Sequence, residues 1–225
     1  MIQAIVYDAV GTLIHVQPAV AVIYAEVGRR FGSRLDADAV QRRFHAAFAR
    51  QDQLDEQAGW RTSEAREVER WRSIVTEVLD DVADSAGCFA ALFERFGQPG
   101  AWSCAADAGD LLESMHRRGI RQAMASNFDG RLRAVVEPMP IVRYLDPLIV
   151  SSEVGWRKPA AEFFAHLSES LGLPPDALLF VGDDRGNDYE AARAVGMRAL
   201  LLDPRRRHLD IADRIDRLGE VIEFV

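Results

Sequence analysis

A single lysine stands against twenty-six arginines in this chain of 225 residues. That residue, Lys158, lies in Trp156-Arg157-Lys158-Pro159, directly before a stretch with helical spacing. An ammonium is a compact point charge on a flexible stem, suited to close pairing with a carboxylate or a phosphoryl oxygen. Three further polar groups each close a short apolar run: Asp8 after residues 2–7, Ser126-Asn127 after 121–125, and Gly182-Asp183-Asp184 after 178–181. Any one of them alone reads as a cap at a strand-to-helix turn. All four at the same edge of a sheet read as an active site. Carboxylates at close range stay ionised only with positive charge among them. A set of hard oxygen donors without Cys or His nearby selects Mg²⁺ over zinc.

The elements that must position these groups can be read from the same pattern. Apolar runs at residues 2–7, 121–125, 148–150, 178–181 and 198–202 lack alternation, as strands buried on both faces of a parallel sheet do. Helical patterns lie between them. In residues 107–118, Leu111, Leu112 and Met115 share one face, and residues 159–171 run from a Pro to Gly172. A third helical pattern covers 188–195. From about residue 107 the alternation predicts a doubly wound α/β core with helices on both faces of the sheet. Residues 16–101 break it, with helical spacing in Ala21, Tyr24, Ala25 and Phe31, in Val40, Phe44, Ala47 and Phe48, and in Trp71, Ile74, Val75 and Val78. The expected organisation is therefore a core of residues 1–15 and 102–225 with a helical cap of residues 16–101 inserted after the first strand.

Composition narrows the function. A net charge of −8 gives no basic footprint for nucleic acid, and Arg205-Arg206-Arg207 reads as a solvated turn. Cys88 and Cys104 have neither metal-site nor redox spacing. The apolar start carries Asp8 in its middle and lacks a basic leader, and no run reaches membrane-spanning length. The expectation is a cytoplasmic protein without membrane or nucleic-acid partners.

The ordered motifs resemble the haloacid dehalogenase-like hydrolase superfamily, in the branch whose helical cap lies between the first and second motifs. Asp8-Ala9-Val10-Gly11-Thr12-Leu13 matches the first motif, Ser126 the second, Lys158 the third, and the stretch from Gly182 to Asp188 the fourth. The likeness spans almost the whole chain, with the cap matching by position, length and helical character. It implies a Rossmann-like core and a small phosphorylated substrate. By this resemblance Asp8 is the nucleophile that forms an aspartyl-phosphate. Ser126, with Asn127, hydrogen-bonds the transferring phosphoryl group, and Lys158 pairs with Asp8 and offsets charge on the phosphoryl oxygens. Asp8, Asp183 and the carbonyl of Val10 hold Mg²⁺, with Asp188 as a further acidic partner. Gly11 permits the turn, and Thr12 supports the phosphate-binding loop.

One departure matters. Phosphatases of the superfamily carry a second Asp two residues after the nucleophile, to protonate the leaving alcohol, and this chain has Val10 there. Losing a positioned acid costs about 10²- to 10⁴-fold in rate. Three readings follow: a phosphatase for substrates with good leaving groups or with a donor from the cap, a 2-haloacid dehalogenase, or a phospho-ligand-binding protein. The acidic fourth motif favours the first. His15 and His45 are the candidate replacement donors, and Trp60 and Trp71 the candidate entrance residues. A Schiff-base route through a cap lysine is excluded, because Lys158 belongs to the core.

Overall fold

The computed structural model describes residues 1–225. The chain opens with β1 (Ala4–Tyr7) and a short β2 (Ile14–Val16), then passes through α1 (Val20–Arg30), α2 (Ala37–Gln57), α3 (Glu64–Val78) and α4 (Ser85–Phe96). It returns through β3 (Trp102–Cys104) into α5 (Ala108–Arg117), β4 (Arg121–Ser126), α6 (Arg131–Val136), β5 (Leu148–Val150) and α7 (Ser151–Val154). The last part comprises α8 (Ala161–Leu171), β6 (Leu178–Gly182), a π-helical turn at Arg185–Glu190, α9 (Ala191–Ala194), β7 (Arg198–Leu202) and β8 (Arg214–Ile215). The five apolar runs of the sequence are all strands.

Six strands form one parallel sheet in the order β5-β4-β1-β6-β7-β8. Strand β1 sits between β4 and β6, so both flanking motifs lie beside it. Its successive side chains enter opposite layers, as the two-residue period of a strand requires. Ile5 and Tyr7 pack with Leu111, Met115 and Leu132 of α5 and α6, whereas Ala4 and Val6 pack with Phe163, Phe164 and Leu167 of α8. Each fully buried Leu or Phe contributes about 1.5–3 kcal/mol.

Helices α1–α4 close over a separate apolar cluster that includes Ile23, Tyr24, Val40, Ile74, Val75 and Leu92. Their starts follow from capping: Asp36, Ser63 and Asp84 accept from the amides of Ala39, Arg66 and Gly87. The chain enters and leaves this helical unit through β2 and β3, which pair antiparallel with His15 opposite Ser103. Strands this short leave no periodicity to read, and Val16, the expected first residue of the insert, is the last residue of β2. No helix is long and apolar enough to cross a membrane.

Candidate active site

Asp8 follows β1 directly, and its amide donates to the Val181 carbonyl at 2.8 Å, which fixes it at the carboxyl edge of the sheet. Ligands bind at this edge in open parallel sheets. Two glycines allow the acidic groups to converge. A Cβ on Gly11, whose φ is +98°, would land on the Asp183 carboxylate, and a Cβ on Gly182 would land on that of Asp188. Asp188 itself is delivered by the π-helical turn, which Asp184 caps by accepting from the Asn187 amide at 2.8 Å.

As a result Asp8, Asp183 and Asp188 present carboxylate oxygens within 4.8 Å of one another. Lys158 is fully enclosed. Its ammonium donates to Asp8 Oδ1 at 2.7 Å, to Asp188 Oδ1 at 2.6 Å and to the Ala125 carbonyl at 3.2 Å, which uses all three of its donors. Burial pushes Asp8 up to about 8; Asp188 and Asp183 add to the rise and Lys158 opposes it. Burial likewise pushes Asp183 up to about 6, with Asp188 adding repulsion. For Lys158 burial opposes the charge, but Asp188 and Asp8 outweigh it and push the group up. One ammonium against three carboxylates leaves the cluster short of positive charge. The buried, oxygen-only donor set fits a hard divalent cation such as Mg²⁺.

The remaining sequence candidates fall into place unevenly. Val10, Ser126 and Asn127 line the same cavity as Asp8, Lys158, Asp183 and Asp188. The Val10 carbonyl accepts no backbone hydrogen bond, which leaves its lone pairs available. The Asn127 side chain is occupied: Nδ2 donates to the Lys158 carbonyl at 2.9 Å and Oδ1 accepts from the Lys158 amide at 2.8 Å. Its amide group positions the lysine, which leaves its backbone for any phosphoryl contact. Thr12, expected at the phosphate, stands off the cavity wall; it is completely buried and its hydroxyl has no partner. His15 and His45 are exposed and do not line this cavity. Trp71 lines the cavity, whereas Trp60 instead accepts the Arg157 amide through its carbonyl at 3.0 Å.

The cavity, of about 340 Å³, lies between the sheet edge and helices α1–α4. Sequence reading missed most of its far wall: Tyr24, Phe44 and Phe48 read only as positions in helical patterns, and Phe89 and Phe96 carried no signal of their own. It also missed the arginines that fasten the two sides. Arg131 pairs with Asp129 at 2.7 Å, donates to the Phe93 carbonyl and lies 3.3 Å from the centroid of the Phe93 ring. Arg157, next to Lys158, pairs at 2.6 Å with Asp55 of α2, which also binds Arg66 and Arg70. Backbone contacts add to the closure: Thr62 donates to the Gly155 carbonyl at 3.0 Å, and Gly130 to Glu64 at 2.8 Å. The spacing Arg157-Lys158 was the available signal for the second fastening, since one of two adjacent cations had no assigned partner.

Comparisons with known proteins identify the family and the fold. A family model described as "Hydrolase: haloacid dehalogenase-like hydrolase" matches residues 2–196. The chain is 27% identical over 206 residues to the haloacid dehalogenase-like hydrolase domain-containing protein 3 of Bos taurus, covering 89% of this chain and 82% of that protein. It is 30% identical over 132 residues to a ribulose-1,5-bisphosphate 5-phosphatase of Halopiger xanaduensis, covering 53% of this chain and 55% of that one. The magnesium-bound HAD-hydrolase YfnB of Bacillus subtilis shares the fold, with a TM-score of 0.80 at 16% identity over 99% of this chain and 98% of that one.

Proposed function

This chain belongs to the haloacid dehalogenase-like hydrolases, and from that premise we propose that it is a Mg²⁺-dependent phosphatase acting on a small phosphorylated metabolite. The observation that carries the reading is the set of three carboxylates, on Asp8, Asp183 and Asp188, within 4.8 Å around a single buried ammonium. That excess of negative charge suits a site completed by a divalent cation and a phosphoryl group, and suits a cation-free haloacid site poorly. In this reading residues 1–15 and 102–225 form the core and residues 16–101 the cap.

The steps follow from the chain's own groups. Asp8 Oδ attacks phosphorus, the bond from phosphorus to the leaving oxygen breaks, and Asp8 carries the phosphoryl group as a mixed anhydride. Ser126, at the end of β4, donates its hydroxyl to a phosphoryl oxygen. Lys158, set by the Asn127 side chain, neutralises charge that grows on those oxygens in the transition state. Water then attacks phosphorus, releasing inorganic phosphate and restoring the Asp8 carboxylate. Asp8, Asp183 and the Val10 carbonyl, with Asp188 close by, would hold Mg²⁺, which would supply charge neutralisation and orientation of the phosphate when bound.

A phosphate-release screen over a metabolite panel, with and without Mg²⁺, tests the reading. Release should require the metal and should vanish in Asp8→Asn, whose neutral amide is a poor nucleophile. Halide release from 2-chloropropionate that survives chelation, with no phosphate release, overturns it in favour of a dehalogenase.

A further inference from the structure

Resting on the phosphatase reading, we propose that the leaving group is an aromatic alcohol: the substrate is an aryl phosphate monoester whose ring lies against the cap wall and departs as a phenolate. Two independent observations carry this. The first is the wall itself. A continuous run of aromatic rings links the helical unit to the phosphoryl site: Phe44 meets Tyr24 at 5.4 Å between centroids, Tyr24 meets Phe96 at 5.9 Å, Phe96 meets Trp102 at 6.4 Å, and Trp102 meets Phe128 at 5.7 Å. All five line the cavity with Asp8, and the Phe128 amide donates to the Ser126 carbonyl at 3.1 Å. Edge-to-face and tilted stacks of this kind accept a further ring at little cost.

Most charged groups on that wall pair with one another, although the Nε atoms of Arg70 and Arg157 are buried without a partner. Arg131 is held by Asp129, and Arg70 by Asp52 and Asp55. Glu67 accepts from the Thr62 hydroxyl at 2.7 Å and lies 3.7 Å from Arg157. A sugar or polyol would have to strip its hydroxyls of water against aromatic faces, which leaves them unpaired.

The second observation is the missing acid. Val10, two residues after Asp8, lines the cavity with an apolar side chain where the family resemblance implies a proton donor, and no histidine lines the cavity. An alkoxide is too basic to leave unaided at speed, whereas a phenol, with a pKa of about 10, leaves as its anion. The aromatic wall and the absent acid suit the same class of ester. An aliphatic apolar phosphate satisfies only the wall, and acetyl phosphate only the leaving-group condition.

The test compares kcat/KM, with Mg²⁺, for 2-naphthyl phosphate, phenyl phosphate, cyclohexylmethyl phosphate, glycerol 3-phosphate and acetyl phosphate. The expected order places naphthyl above phenyl through a lower KM, with cyclohexylmethyl phosphate bound but turned over at least about 100-fold more slowly. Glycerol 3-phosphate should be poorest. Trp102→Leu should lower the preference for naphthyl over acetyl phosphate at least fivefold; because that preference is a ratio taken on one sample, partial misfolding does not move it. Acetyl phosphate hydrolysed as well as or better than naphthyl phosphate overturns the aryl proposal while sparing the phosphatase reading. Cyclohexylmethyl turnover equal to that of the aryl esters also overturns it. Hydrolysis of none of the five sinks both.

Discussion

Lys158 is surrounded so closely that its shape matters as much as its charge. It is 2% exposed, with Asp8, Asp188 and the Ala125 carbonyl each taking one of its three protons. A guanidinium keeps the charge but is planar and larger, and cannot reproduce that trigonal set. Lys158→Arg should therefore lower kcat on an aryl phosphate by about 10²-fold or more; wild-type kcat would show that charge alone suffices. Val10 makes the complementary prediction. Val10→Asp should raise turnover of alkyl phosphates by about one to three orders of magnitude and change aryl phosphate turnover much less, because only the former needs a proton at the leaving oxygen. Parallel rate measurements on the two ester classes decide it. Equal gains would mean that the new carboxylate acts on the metal site instead.

The elements show how unevenly a sequence displays its structure. Five strands of the sheet were legible because burial on both faces leaves unbroken apolar runs; Asp8, Ser126 and Asp183 were legible because each stands at or just after the end of such a run, and Lys158 because it is the one lysine of the chain, set directly before a helical stretch. The ribbon of β2 and β3 and the two-residue β8 were not, since each is broken by a polar or charged residue and none forms an apolar run. The aromatic wall was hidden for a different reason: a ring facing a cavity and a ring facing a core have the same helical spacing. The fastening at Asp55 was hidden because an ion pair reaching from residue 55 to residue 157 leaves no local trace. That fastening gives a measurable prediction. Asp55 is completely buried and serves Arg66, Arg70 and Arg157, so Asp55→Ala leaves two buried guanidinium groups underpaired, Arg70 with Asp52 alone and Arg157 with Glu67 at 3.7 Å. Removing one partner of such a buried network costs about 3–5 kcal/mol, which lowers the melting temperature by roughly 10 °C for a chain of this size. A shift under 2 °C by calorimetry would mean that the arginines find water instead.

For the whole molecule, the acidic cluster couples stability to pH and metal. Burial raises Asp8 to about 8 and Asp183 to about 6, from 3.8 in each case. The metal-free folded state thus holds protons that the unfolded chain has already lost. Stability from these groups is full below about pH 4 and declines as pH rises through 6 and 8. In the proposed reading Mg²⁺ would replace those protons on binding, so its stabilising effect should grow with pH. Melting curves at pH 5.5 and 8.5, with and without Mg²⁺, should show the larger metal-induced shift at pH 8.5; equal shifts would place the metal elsewhere. The sheet order has a consequence of another kind, in time rather than energy. Strand β1 is made first, yet Ala4 pairs with Arg121 on one side and Leu178 on the other. As the chain leaves the ribosome, the four-helix unit between them can close on its own apolar cluster while the central strand still has no neighbours. Contacts so distant in sequence form slowly, and an unpaired apolar strand is prone to aggregate while it waits. The strand that leads into Asp8 is therefore the one that nascent-chain chaperones have the longest opportunity to meet.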